Sequence, residues 1–170
     1  MSSYANRIIG LEYVDAADLL PHPANWRVHS EAQAGALRGV LAEVGIADAL
    51  LAYRSAEFGG QLVVIDGHLR RDAAPQTWPV LVLDVDDDEA RVILATHDPL
   101  AAMATADPAA LEALLSIVQS GEAAVQTMLA EMAQDAGIVP PEVEFREYDE
   151  AAAEEVEYHT CPNCGHQWPK

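Results

Sequence analysis

The sequence predicts an α+β fold in which short apolar strands alternate with helices. Two apolar runs with the length of buried strands, Gln61 to Ile65 and Trp78 to Val85, enclose a short helical segment that begins at His68. Ile8 to Val14 and Ala49 to Tyr53 add two more strands. We expect these four strands to form one small sheet on which the helices pack.

Two longer helices are predicted around these strands. The first runs from Ser30 to Val44, because serine is a favoured N-cap residue and apolar residues recur every three or four positions until Gly45. The second runs from Asp86 to Thr96, and its acidic first turn suits the helix dipole. The two prolines in residues 21–27 predict an irregular loop before the first helix. The apolar stripe of the first helix consists of Leu37, Val40, Leu41 and Val44.

Beyond residue 100 the chain is predicted to become wholly helical. Asp107 and Pro108 provide an N-cap and a first helical residue, and a second helix runs from Glu122 to Ala136. This helical hairpin must bury its apolar stripes on the sheet domain, within itself or on a second subunit. Residues 108–136 contain no lysine or arginine, so they lack the basic recognition helix of a DNA reader.

The rest of the chain is predicted to be a linker and a tail. Residues 139–157 hold eight acidic residues and one arginine and contain two consecutive prolines near their start, a composition typical of a flexible linker. We therefore divide the chain into a sheet domain (1–100), a helical extension (101–138), an acidic linker (139–157) and a tail (158–170).

The overall charge restricts the classes of function. The net charge is −19, and residues 1–141 contain seven arginines against twenty acidic residues. Proteins that hold duplex DNA usually present a basic face, so the charge disfavours autonomous DNA binding. No apolar run approaches the roughly 18 residues of a membrane span, and the first residues lack the apolar segment of a signal peptide. We expect a cytoplasmic protein without a membrane segment.

The segment Asp66-Gly67-His68-Leu69-Arg70-Arg71 carries the clearest chemical signal. A strand that ends in glycine and opens a helix leaves free backbone N–H groups, to which anions are attracted. Arg70 and Arg71 could add bidentate phosphate contacts, and His68 can donate or accept a proton near neutral pH. The alternative is an ordinary strand-turn-helix in which Gly67 serves the turn and the arginines cover the surface.

Residues Ile65 to Ala74 resemble the signature box of the ParB/sulfiredoxin superfamily, which reads (I/V)-(D/G)-G-x-x-R-x-x-A-A. Val14 to Arg27 and Trp78 to Ala90 resemble the flanking boxes, so the resemblance covers roughly residues 8 to 100. It implies a ParB/sulfiredoxin-like small mixed sheet with helices, and a site for CTP or ATP with Mg²⁺. The residues that it implies at the phosphates are Gly67, His68, Arg70, Arg71, Asn25 and Arg27.

The resemblance also bears on catalysis. Relatives with an Asp-Gly-His-His-Arg box phosphorylate free serine through the Asp and His of that box. Asp66 and His68 are therefore candidate catalytic residues for slow NTPase or phosphotransfer activity. Leu69 replaces the second histidine, which departs from the kinase pattern. The sulfiredoxin reaction is excluded, because the box contains no cysteine.

Two alternatives belong to other classes of function. The chain resembles ParB-like adaptors of phage or mobile elements, which would dock a DNA-modification or packaging partner without catalysis. A ParB-type DNA-binding or nuclease protein is the weaker alternative, because the acidic charge opposes a DNA substrate.

The tail contains the turn of a zinc ribbon, Cys161-Pro162-Asn163-Cys164-Gly165. A structural zinc ion needs four ligands, and the chain has no second Cys-x-x-Cys pair. His159 and His166 could complete a Cys2His2 set, or two chains could share one ion through four cysteines. A half-ribbon that folds only against a partner is the third interpretation. The hairpin and the half-ribbon both favour a homodimer.

Overall fold

The computed structural model describes residues 4–74, 76–138 and 158–169. Five strands form one mixed sheet in the order β1-β5-β3-β4-β2, with antiparallel pairing at β1/β5 and β3/β4 and parallel pairing elsewhere. The predicted α+β fold with a small mixed sheet is confirmed. The strands are β1 (Ile8–Asp15), β2 (Leu20–Pro21), β3 (Leu50–Ser55), β4 (Gln61–Asp66) and β5 (Thr77–Leu83).

Five α-helices accompany the sheet in the described residues, and the N-caps of α1, α3 and α4 follow from the sequence. The hydroxyl of Ser30 accepts the N–H of Gln33, and Asp86 and Glu89 form a reciprocal capping box. Across the described ranges, no helix is long and apolar enough to cross a membrane. The helices are α1 (Glu31–Glu43), α2 (His68–Ala73), α3 (Asp87–Ala102), α4 (Pro108–Leu115) and α5 (Ala123–Asp135).

The three central strands are buried on both faces of the sheet. Period-two alternation sends one set of side chains towards α1 and α2 and the other set towards α3. The first face holds Leu50, Ala52, Leu62, Val64, Trp78, Val80 and Val82. The second face holds Tyr53, Val63, Ile65 and Leu83 with Ala90 and Leu94 of α3.

Residues up to 138 form one compact unit, and residues from 139 onward form a second. Within the first unit, α3 continues across the boundary that we predicted at residue 100. The second unit contains a two-stranded antiparallel hairpin, β6 (Tyr158–Thr160) and β7 (Gln167–Pro169). The predicted acidic linker lies outside the described residues.

Two predicted element boundaries are wrong. Pro21 belongs to β2, where it pairs with Val64 at the edge of the sheet, a position at which a missing N–H is tolerated. Helix α3 ends at Ala102 rather than Thr96, with Pro99 inside it. The proline lacks its own N–H, but its carbonyl still accepts the N–H of Met103, so the last turn forms.

The buried side of α1 differs from the predicted stripe. Ala36 and Gly39 are buried, whereas Val44 is 70% exposed. Helix α5 packs against this small-residue side, with Val125 buried against Gly39. The helical hairpin therefore buries part of its surface on the sheet domain, which is one of the three arrangements that its sequence allows.

Gly39→Ala is expected to destabilise the domain, although alanine normally stabilises a helix interior by about 1 kcal/mol relative to glycine. A Cβ atom at residue 39 would lie 2.7 Å from Val125 Cγ2 and 3.0 Å from Glu122 Cβ. Such overpacking costs about 1–3 kcal/mol. The matched control is Gly35→Ala on the same helix, whose Cβ would meet Ala124 at an ordinary 3.5 Å. Urea unfolding should give a lower midpoint for Gly39→Ala and an unchanged or higher one for the control.

Candidate functional site

One cavity of about 490 Å³ gathers most of the residues that the sequence selects. It lies among the loop after β2, helix α1, the junction between β4 and α2, and the last turns of α3. Its size is typical of small-molecule sites. The predicted binding residues on its wall are Asn25, Arg27, Asp66, Gly67, His68 and Arg70.

Arg70 is the arginine of the signature box that faces this cavity. Its guanidinium donates to Asp66 Oδ2 at 2.6 Å and also to the carboxylate of Asp48. The Arg70 side chain is 18% exposed, whereas that of Asp48 is 72% exposed. Two carboxylates thus hold a mostly buried cation at the cavity wall, and one of them can move into solvent.

A second arginine approaches the cavity from the loop. Arg27 Nε forms an ion pair with Asp98 Oδ2 at 2.5 Å. The guanidinium carbon also lies 5.0 Å from the centroid of the Trp26 ring, within cation–π range. Asn25 stabilises the loop, since its side-chain oxygen accepts the backbone N–H of Arg27 at 3.3 Å. Arg27 lines the cavity, so the other N–H groups of its guanidinium can donate to an anion bound there.

Sequence reasoning missed His97 and Asp98, which lie beside Asp66; Asp98 also lines the cavity. One donor atom from each of these three residues lies within 4.8 Å of the other two. This group could hold a metal ion, and among the described residues it is the only cluster of three such donors. The signal was present in the sequence as His97-Asp98, but the predicted helix ended before these residues.

Gly67 and His68 form the turn at the base of the site. Gly67 has φ of 93°, in the left-handed region that favours glycine. His68 is 7% exposed, and its Nε2 accepts the backbone N–H of His22 at 3.2 Å. The neutral ring therefore carries its proton on Nδ1. This hydrogen bond ties the start of α2 to the loop that carries Asn25 and Arg27.

Comparison with solved structures places this architecture among known folds. The crystal structure of the C-terminally truncated chromosome-partitioning protein ParB from Caulobacter crescentus, complexed with CTP-gamma-S, is similar at 21% identity and a TM-score of 0.52. The match covers 76% of this chain and 72% of that one. The fold is ParB-like. A Pnob8-like ParB-N domain is 17% identical with a TM-score of 0.45, over 98% of this chain and 59% of that domain. No protein-family profile and no curated protein matches the sequence.

Arg71 does not share the position of Arg70 in the ParB-like domain. It is absent from the cavity wall, donates to the carbonyl of Leu19 at 3.2 Å and pairs with Asp72. Its side chain is 16% exposed. Arg71 thus ties α2 to the segment before β2. Of the six residues predicted at the phosphates, five line the cavity and Arg71 does not.

Burial of His68 and His22 should make the ParB-like domain sensitive to acid. Burial lowers the pKa of both imidazoles, and the positive charges of Arg71 and Arg91 respectively lower it further. Because the unfolded chain then takes up protons first, this contribution to stability is complete above about pH 6.5 and declines as the pH falls below it. Protonation of His68 also removes the acceptor for the N–H of His22.

We therefore expect the urea midpoint to fall between pH 7.5 and pH 5, and to fall less in His68→Gln, which cannot gain this proton. His29→Gln is the matched control, since it replaces a half-buried histidine whose ring hydrogen-bonds the Gln33 side chain. If the urea midpoints of wild type and His68→Gln fell equally with pH, His68 would not be a source of the acid sensitivity.

The four residues predicted to bind zinc lie in the second unit, in and beside the turn between β6 and β7. Cys161 and Cys164 are both free thiols. Hydrogen bonds from the backbone N–H groups of Asn163 and Cys164 lower the pKa of the Cys161 thiol. His159 and His166 stack instead on Trp168, with ring centroids 5.9 and 6.2 Å away.

Proposed function

We propose that the chain binds a nucleoside triphosphate, CTP or ATP, in the cavity of the ParB-like domain. The observation that carries this proposal is the placement of Arg27 and Arg70 on the wall of one 490 Å³ cavity, beside Asn25 and the Gly67 turn. Arginine side chains are well suited to phosphate oxygens. Because the structurally similar ParB was crystallised with CTP-gamma-S, we expect CTP to bind more tightly than ATP.

Phosphate binding would change the partners of both arginines. A phosphate oxygen would replace Asp48 at Arg70, which leaves that exposed carboxylate in solvent. At Arg27 it would accept from the guanidinium beside the Asp98 carboxylate, since the Arg27 side chain is 34% exposed and lines the cavity. The aspartates nearby repel a polyphosphate unless a cation lies between them.

A divalent cation fits this requirement. Asp66 and Asp98 would supply two carboxylates, and Mg²⁺ is commonly held by one or two carboxylates together with substrate phosphates. His97 adds an imidazole, which Mn²⁺ accepts more readily than Mg²⁺ does. The proposed ligand is therefore a metal–nucleotide complex rather than the free nucleotide.

The same contacts favour binding over turnover. Asp66 accepts a hydrogen bond from Arg70, and His68 Nε2 accepts one from His22, so both candidate catalytic groups are already engaged. Slow NTPase or phosphotransfer activity would require Asp66 to release Arg70 before it could serve as a base. Phosphate release should be measured alongside binding to separate the two.

Calorimetric titration of the full-length chain with CTP, ATP and GTP tests the proposal. We expect saturable one-to-one binding of CTP or ATP in Mg²⁺, weaker binding in EDTA, and loss of affinity as salt rises. Absence of heat and of thermal stabilisation with all three nucleotides would refute it.

A non-catalytic adaptor is the second candidate, favoured by edge strand β1. Leu11 and Tyr13 point to the same face of this strand and are 53% and 73% exposed, and Ile9 is 66% exposed. Exposed apolar residues on an edge strand are typical of a surface that pairs with another chain. The partner would belong to phage DNA-modification or packaging machinery. Loss of partner capture in Leu11→Asp, with nucleotide binding intact, would support this function.

A further inference from the structure

We propose that two copies of this chain share one zinc ion, bound by Cys161 and Cys164 of each copy. The proposal concerns only the second unit and does not depend on nucleotide binding. It rests on the geometry of the turn between β6 and β7, on the positions of the neighbouring histidines and on the number of cysteines in the chain.

The turn has the geometry of a metal-binding knuckle. The N–H of Cys161 donates to the carbonyl of His166, and the N–H of Gly165 donates to the carbonyl of Cys161, both at 2.9 Å. Gly165 has φ of 73°, which closes the turn at a residue without a Cβ. Backbone N–H groups of Asn163 and Cys164 point at the Cys161 sulfur. This turn therefore presents donors that stabilise a metal-bound thiolate.

The two sulfurs are close enough to bind one ion. The Cys164 thiol lies within hydrogen-bond reach of Cys161, and the pair is not a disulfide. Two thiolates on one tetrahedral zinc ion, each about 2.3 Å from the metal, lie roughly 3.8 Å apart. The thiols also remain accessible, since Cys164 is exposed and Cys161 half-buried. The knuckle thus needs little rearrangement to chelate zinc.

The histidines of the tail are engaged elsewhere. His159 and His166 stack on Trp168 at interplanar angles of 28° and 23°. Within the described part of the tail, no third donor atom gathers with the two sulfurs. A local Cys2His2 site would require both rings to leave Trp168, and His166 would have to turn back towards Cys164 two residues away.

A second copy supplies the missing ligands most simply. The chain contains two cysteines, so a four-thiolate site requires another polypeptide. Two identical knuckles related by a twofold axis can place four thiolates around a point on that axis. A zinc ion at this point would have the four tetrahedral ligands that it needs. An unrelated partner would need a matching pair of free thiolates of its own, a requirement that this chain already meets.

The test uses the reduced full-length chain, first freed of metal with a chelator and then titrated with Zn²⁺ alone. We expect half an equivalent of zinc to bind per chain, and light scattering to show a particle of twice the 18.3 kDa chain mass. Co²⁺ in place of Zn²⁺ should give the thiolate charge-transfer and visible bands of a tetrahedral all-sulfur site. One zinc per chain at monomer mass, or no zinc binding, would overturn the proposal.

Variants separate the ligands from their neighbours. Cys161→Ser and Cys164→Ser should each abolish zinc-dependent dimerisation, while nucleotide binding stays unchanged. His159→Phe and His166→Phe keep a ring against Trp168 but remove the imidazole, so zinc stoichiometry and dimer mass should remain as in the wild type. Loss of zinc binding in either histidine variant would overturn the four-cysteine assignment in favour of a mixed site.

Discussion

Arg70→Ala is expected to weaken binding of Mg²⁺-CTP about 10- to 100-fold. A hydrogen bond to a charged group contributes about 1.5–3 kcal/mol, which corresponds to this range of affinity. The variant also leaves Asp66 and Asp48 without their counter-ion at the cavity wall, so the remaining charge repels the phosphates. Calorimetry at fixed Mg²⁺ and salt concentrations measures the loss. An unchanged dissociation constant would place the phosphates elsewhere.

Two matched variants distinguish this effect from general damage to the fold. Asp48→Asn removes the exposed carboxylate that competes for Arg70, so CTP affinity should rise rather than fall. Arg71→Ala deletes the neighbouring guanidinium, which contacts Leu19 and Asp72 away from the cavity. It should lower the unfolding midpoint while the affinity of the folded fraction stays close to that of the wild type. Partial unfolding would lower CTP affinity in both variants, so a higher affinity in Asp48→Asn and a lower one in Arg70→Ala would exclude it as the cause.

The contrast between Arg70 and Arg71 shows where sequence reasoning stops. The strand, the glycine and the short helix were predictable, because β-branched runs and a strand-ending glycine are local signals. The direction of two consecutive arginines was not, because adjacent residues on a helix point about 100° apart and only the packing of α2 decides which one meets the cavity. Leu19 and Asp48, which fix the two directions, come from distant parts of the chain.

The missed pair His97 and Asp98 has a different cause. The predicted helix ended at Thr96, yet α3 continues through Pro99 to Ala102 and carries both side chains to Asp66. Contacts of the last turns with the sheet domain outweigh the local preference of proline against a helix interior. The apolar stripe of α1 shows the same limit, since Leu37, Val40 and Leu41 line the cavity and only Leu41 of these three also packs against the core cluster. Apolar periodicity alone does not separate a core face from a binding face.

Gly67→Ala is expected to damage both the fold and the site. The residue has φ of 93°, and a Cβ there would overlap Leu50 Cδ2, an atom of a fully buried side chain. The left-handed conformation costs a non-glycine residue about 1–2 kcal/mol, and overpacking adds about 1–3 kcal/mol. The same Cβ would lie 3.2 Å from Arg70 Nε, so the guanidinium would also have to shift by a few tenths of an ångström. Urea unfolding and CTP titration should both show a loss.

The control for this variant is Gly60→Ala, which has φ of 84° but nothing within 4 Å of its Cβ. It carries the conformational cost alone, so the difference between the two midpoints isolates the clash with Leu50. Leu50→Val shortens the side chain that clashes and should recover part of the stability of Gly67→Ala. Equal losses in the two glycine variants, with no recovery in the double variant, would mean that conformation alone requires glycine at residue 67. Recovery of stability without recovery of CTP affinity would show that the displaced Arg70, rather than a weakened fold, limits binding.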